Sequence, residues 1–299
     1  MLFRSFSAPC PDTGRRSRGR RSVACAGVLL ASVTALVSTG VLQAAPAHAA
    51  DSPTGPGSPA AAAPVQPQAA PRVTSAVLGL DGDDLEPTVH GDDTPYDTAS
   101  IVKVDILAAV LLQAQDAGRQ LTPDELDHAE AMIRRSDNDS ATALWQQIGG
   151  APGLEAANKR LGMTTTKGGP GLLWGLTRTT ARDQIRLLRA VFGTRPAADP
   201  ASPALREESR EYIRTLMTRI EDDQAWGVSA AGRAGWALKN GWLQRTASGL
   251  WDINSIGQVA VDGHHYLVAV LSDGSPSMKD GVALVEEAAR DAVRATTGH

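Results

Sequence analysis

Apolar residues crowd one stretch of this chain more densely than any other. From residue 101 to 112 the run Ile101, Val102, Val104, Ile106, Leu107, Val110, Leu111, Leu112 leaves hardly a polar face. A helix that is apolar nearly all round is a buried, central one. Asp97 or Thr98 is the expected cap at its start, and Gly118 marks its end. Upstream, residues 73–84 read as a strand running into an Asp-Gly turn, with residues 85–91 as a short partner. Downstream, Thr122-Pro123-Asp124-Glu125 is a capping box with proline at the first helical position. That helix runs to about residue 135. Further helices are expected over 139–148, 152–161 (closed by Gly162), 179–192 with Thr179 or Thr180 at its start, and 205–220. Residues 163–178 form a loop rich in Gly and Thr.

The period then changes. Residues 233–243, 249–261 and 264–273 read as three strands joined by short turns, and 279–294 as a closing helix. Strands at both chain ends and helices between them predict an α+β fold. Its antiparallel sheet is built from both chain ends and flanked by terminal helices, with an inserted all-helical lobe. The junction of the two lobes is where a site is expected.

Composition adds boundaries. Residues 15–21, "RRSRGRR", are basic, residues 23–42 are apolar, and Ala47-His48-Ala49 offers a small-x-small cleavage site. This predicts a secretory signal peptide over residues 1–49, cleaved near Ala49, and a secreted product. Residues 50–72 are Pro/Ala/Gly-rich and read as a disordered linker. Residues 73–296 then form one domain, with no membrane span after processing and a monomer as the expected state. Cleavage takes Lys+Arg from 29 to 23 and Asp+Glu from 33 to 32, a net charge of −9. That balance excludes nucleic acid as a partner. Cys10 and Cys25 leave with the signal, so no disulfide or thiol chemistry is expected. The six histidines have no metal-ligand spacing, and no metal or cofactor is expected.

One of only five lysines, Lys103, sits inside the apolar helix, three residues after Ser100. Ser-x-x-Lys places both side chains on one helix face. Burial lowers a lysine's pKa, and a neutral amine beside a hydroxyl makes a serine nucleophilic. The other reading is that Lys103 snorkels to solvent or pairs with Asp97. Ser136-Asp137-Asn138 lies in a break between helices, where a hydroxyl and an amide can point into a cleft while the aspartate holds backbone groups. The same three residues also suit an ordinary turn and cap. Lys239-Asn240-Gly241 lies on the first C-terminal strand. The lysine supplies a second positive charge, and the glycine lets a ligand approach the backbone. The N–H groups of Trp242 and Ser100 could form an oxyanion pair. An edge-strand lysine and a turn glycine are the plainer alternative.

In order and context the three motifs resemble those of the serine β-lactamase and penicillin-binding protein superfamily, most closely class A β-lactamases. The resemblance spans about residues 73–296 and implies a β-lactamase-like fold. It implies Ser100 as the acylated nucleophile, Lys103 as its base and Ser136 as the proton shuttle to the leaving nitrogen. Lys239 would supply positive potential. Asn138, Asn240, Gly241 and Trp242 would bind substrate, with Arg245, Asn254 and Ser255 as further candidates for a carboxylate. The implied partner is a small β-lactam or a peptidoglycan-like peptide. Two departures stand out. Asn240 replaces the family's hydroxyl residue, and residues 161–182 contain no Asp or Glu, where class A enzymes carry the glutamate that activates the deacylating water. Acylation is thus expected to survive better than hydrolysis. A D-Ala-D-Ala peptidase, an esterase or a non-catalytic binding module are the alternatives.

Overall fold

Strand β1 (Arg72–Gly79) lies second in a five-stranded antiparallel sheet of order β2-β1-β7-β6-β5. The other members are β2 (Thr88–His90), β5 (Ala234–Gln244), β6 (Trp251–Val261) and β7 (His264–Ser275). The N-terminal strand thus joins the three C-terminal ones, as the sequence predicts. The computed structural model describes residues 70–81, 86–193, 204–232 and 234–297. The expected signal peptide and nearly all of the expected linker lie outside these residues. β1 begins at Arg72, one residue inside the span read as linker, because Arg72 pairs with Asp273 both in the ladder and through its side chain.

The C-terminal strands read as near-continuous apolar runs because both faces of the sheet are covered. Along β7, Tyr266, Val268 and Val270 face a core shared with Val285, Ala289 and Val293 of α7 (Met278–Thr297). The alternate residues Leu267, Ala269 and Leu271 join the larger core of the helical lobe, with Ile185 and Leu188 of α5 (Ala181–Phe192). The chain's last helix flanks one face, and an internal helix flanks the other. The β6–β7 turn uses Asp262 (φ 51°) and Gly263 (φ 83°), the paired positive φ of a tight hairpin.

The apolar helix, α1 (Val102–Asp116), is the axis of the helical lobe and is buried along nearly its whole length. Neither expected cap is used. A 3₁₀ turn, Ala99–Ile101, precedes α1, Thr98 Oγ1 reaches Gly175 O, and Asp97 is ion-paired with Arg245 and Arg178. Gly118 closes the other end at φ 62°. The capping box of α2 (Pro123–Arg134) forms as predicted: Glu125 N donates to Thr122 Oγ1 at 3.2 Å, and Thr122 N donates to the Glu125 carboxylate at 2.6 Å. Helices α3 (Asn138–Gln147), α4 (Gly150–Arg160) and α6 (Glu207–Met217) complete the lobe.

The loop over residues 163–178 is tied at its neck. Lys167 and Arg178 exchange backbone hydrogen bonds of 2.8 Å, and β4 (Arg178–Thr179) pairs with β3 (Tyr96–Asp97) just before the 3₁₀ turn. Asp183, inside α5, accepts from Thr165 N, Thr166 N and Thr166 Oγ1, each at 2.8 Å. The Asp183 backbone also donates to the capping Thr180 hydroxyl. It is therefore part of the helix cap and the anchor of the loop besides. Among the described residues, no helix is long and apolar enough to cross a membrane, and no group of three or more His, Cys, Asp or Glu gathers as a metal site.

Candidate active site

Ser100 stands half-buried on the 3₁₀ turn, behind Ala99 at φ 46°. Positive φ in a non-glycine residue is strained and persists only where its surroundings enforce it. Here β5 presses on the turn. A Cβ on Gly241 would lie 2.7 Å from Ser100 N, 2.8 Å from Thr98 O and 2.9 Å from Ile101 N. This corrects the expected role of Gly241: its missing side chain admits the backbone of the serine turn rather than a ligand.

Lys103 is fully buried. Its Nζ donates to Ser136 O and lies 2.8 Å from Asn138 Oδ1 and 3.1 Å from Ser136 Oγ. The Trp174 ring lies under it, 4.9 Å from Nζ to centroid. Burial holds the amine down to about 7, against a smaller opposing pull from Asp137. Lys103 therefore neither snorkels nor pairs with Asp97. It also does not touch the serine as expected: among the described residues no hydrogen bond joins Lys103 Nζ to Ser100 Oγ. The reason is competition. A buried amine takes the strongest acceptors in reach, and two carbonyl oxygens of the 136–138 segment outbid a hydroxyl. A neutral amine has two N–H donors and one lone pair. Nζ donates to Ser136 Oγ as well as to the two carbonyls, which takes the three donors of the ammonium, and in the neutral amine the lone pair replaces one of them.

Ser136 is the hub. Its Oγ lies 3.1 Å from Lys103 Nζ and 3.0 Å from Lys239 Nζ. Its backbone sits at φ 56°, locked by the next residue, whose Asp137 Oδ1 accepts Ser140 N at 2.7 Å and caps α3. Lys239, also buried, donates to Asn240 O at 2.9 Å. Burial first, and the nearby Lys103 charge second, push its pKa well below the ordinary lysine value.

The other sequence candidates divide. Asn138, Trp242 and Arg245 line a cleft of about 550 Å³ together with Ser100 and the loop residues Leu172–Leu176. Asn138 uses its Oδ1 on Lys103, and among the described residues its NH₂ group makes no hydrogen bond. Trp242 packs its ring against Trp226, with centroids 6.0 Å apart. Asn240 does not fit its expected role. It is buried, and Nδ2 donates to Gln224 O at 2.7 Å and Trp226 O at 3.0 Å, so its donors are not available to a substrate carboxylate. Arg245 is ion-paired with Asp97 and Asp252. Asn254 Nδ2 donates to Asp97 O and Thr98 O, and Ser255 Oγ accepts Val228 N. All four hold the walls together.

By sequence, Trp174 reads only as a residue that could line the cleft and Asp183 only as part of a helix cap; the contacts they make, and Asp105 altogether, are not foreseen. Trp174 meets the lysine from a loop whose fold no local pattern announces. The anchoring role of Asp183 depends on a loop neck made in three dimensions. Asp105 is fully buried on α1, with its carboxyl pushed up to about 8 by burial. It could have been found by the reasoning that picked out Lys103, a charge inside an apolar helix.

A hydroxyl on a strained turn, with two buried lysines sharing a second hydroxyl where a helical lobe meets an antiparallel sheet, defines a class: serine–lysine proteins of β-lactamase architecture. A model of the beta-lactamase enzyme family matches residues 116–296, and the chain belongs to that family. The matched span holds Ser136 and Lys239 and begins after Ser100 and Lys103. No curated protein matches in sequence. Solved structures share the fold. A class A beta-lactamase from Bacteroides cellulosilyticus is 17% identical over 75% of this chain and 92% of its own, with a TM-score of 0.60. PBP-A is 19% identical over 79% and 93%, with a TM-score of 0.61. A class A beta-lactamase from Mycobacterium abscessus is 21% identical over 76% and 94%, with a TM-score of 0.60.

Proposed function

We propose that this protein is an exported serine hydrolase that forms an acyl-enzyme through Ser100 with β-lactams or related amides and esters, and releases it slowly. The observation that carries the reading is the Ser136 hydroxyl held between two buried amines, one of them near pKa 7. In the attack, neutral Lys103 turns its lone pair to the Ser100 hydroxyl and takes its proton. Ser100 Oγ bonds to the carbonyl carbon, and the C–N bond breaks. Ser136 gives its proton to the leaving nitrogen and is reprotonated from Lys103. Lys239 holds the Ser136 oxygen in line.

Slow release follows from the loop. Residues 161–182 carry no carboxylate, and the loop turns Leu172, Leu173 and Trp174 to the cleft instead. Loss of a general base costs roughly 10²–10⁴ in the step it serves. A mutant of PBP-A, 20% identical with a TM-score of 0.60, is described as an acyl-enzyme complex with penicillin G. The same missing carboxylate favours, as a second reading, a D-Ala-D-Ala peptidase or esterase whose own acyl group leaves readily. A non-catalytic binding module is less well supported, because it has no use for a lysine tuned near neutral pH.

One experiment tests both chemistry and export. Intact mass of the protein recovered from culture medium is expected to correspond to cleavage near Ala49 and to rise by the mass of penicillin G on mixing. Ser100→Ala is expected to show no rise. An adduct on Ser100→Ala, or a mass that includes residues 1–49, would refute the respective part.

A further inference from the structure

The geometry points to an acyl donor that is uncharged beside its scissile bond and apolar in its acyl arm. This rests on acylation at Ser100 and names the substrate class for it. Arg245 is the one cation that lines the cleft among the described residues, and Asp97 and Asp252 both hold it. Two carboxylates against one guanidinium leave no positive charge to spare, although Asp97 also lies 3.6 Å from Arg178. Lys239 is buried with its amine on Ser136 Oγ and Asn240 O. Two neutral donors expected to meet a carboxylate, Asn240 Nδ2 and Asn254 Nδ2, are spent on backbone carbonyls. A substrate carboxylate entering here would lose water and gain no free cation, which is unfavourable. The opposite wall invites apolar groups. Leu172 and Leu173 are 54% and 57% exposed, Trp174 follows them in the loop, and all three line the cleft. Covering exposed leucines with an apolar arm is favourable in proportion to the area removed from water.

The test compares penicillin G with its methyl ester, which shares the acyl arm and lacks the charge. The rate of Ser100 acylation, followed by intact mass, is expected to be about tenfold or more higher for the ester, a difference of about 1.4 kcal/mol. Asp252→Asn, which removes one of the two carboxylates on Arg245, is expected to narrow the gap. Arg245→Gln is expected to leave it. An acid that reacts as fast as the ester, or that Arg245→Gln slows selectively, overturns the proposal while Ser100 acylation stands. No adduct with either compound overturns both.

Discussion

Lys103 shows how one residue's environment sets its chemistry. Exposed, it would be an ammonium with a pKa of 10.5; buried, it titrates near 7. Only the neutral form can take the Ser100 proton, so acylation is expected to rise with pH through about 7 and then level off. Rapid-mixing acylation rates from pH 5.5 to 10.5 check this, and a rate still rising above pH 9 would contradict it. Lys103→Ala is expected to lower the acylation rate by roughly 10²–10⁴ at pH 8.

At the scale of elements, the site depends on how β5 meets the turn before α1. Strand and turn approach so closely that only a hydrogen fits at Gly241. Gly241→Ala is expected to push the Ser100 turn away and cost roughly 1–3 kcal/mol in overpacking. Acylation should fall more than stability does, since the nucleophile itself moves. Urea midpoints and acylation rates on the same variant separate the two effects. A variant that acylates normally would show that the turn is not held from this side. The loop over residues 163–178 is the other positioning element. Asp183 and the Lys167–Arg178 bridge fix its neck, and that carries Trp174 onto the lysine.

At the scale of the whole molecule, the larger core runs from α1 across the sheet, and it contains Asp105. Gln184 lies beside Asp105 and partly opposes the rise in its pKa, but neither carboxyl oxygen of Asp105 nor Gln184 Oε1 has a hydrogen-bond partner within 3.5 Å among the described residues. A protonated acid beside Gln184 can donate to that oxygen, and a carboxylate cannot. Burial raises the Asp105 pKa from 3.8 to about 8, so the folded chain binds more protons than the unfolded one between those values. Its contribution to stability is full below pH 3.8 and is lost as the pH rises to about 8. Asp105→Asn keeps the shape and cannot ionise. The variant is expected to match the parent near pH 4 and to exceed it by on the order of a few kcal/mol at pH 9. Equal differences at both pH values, read from urea unfolding, would contradict this.

Periodicity alone determined the elements of this protein. The apolar run of α1, the Thr122–Glu125 box and the three period-two segments have local causes, so their outlines were legible. The lysines were legible too, because a charge inside an apolar segment is conspicuous in one dimension. Tertiary structure decided which partners those groups take. Asn240, Arg245 and Asn254 look like ligand-binding residues by type, but carbonyls and carboxylates on other segments of the chain claim them first. Hydrogen-bond competition among buried groups is settled by distances in space, and spacing along the chain does not contain them.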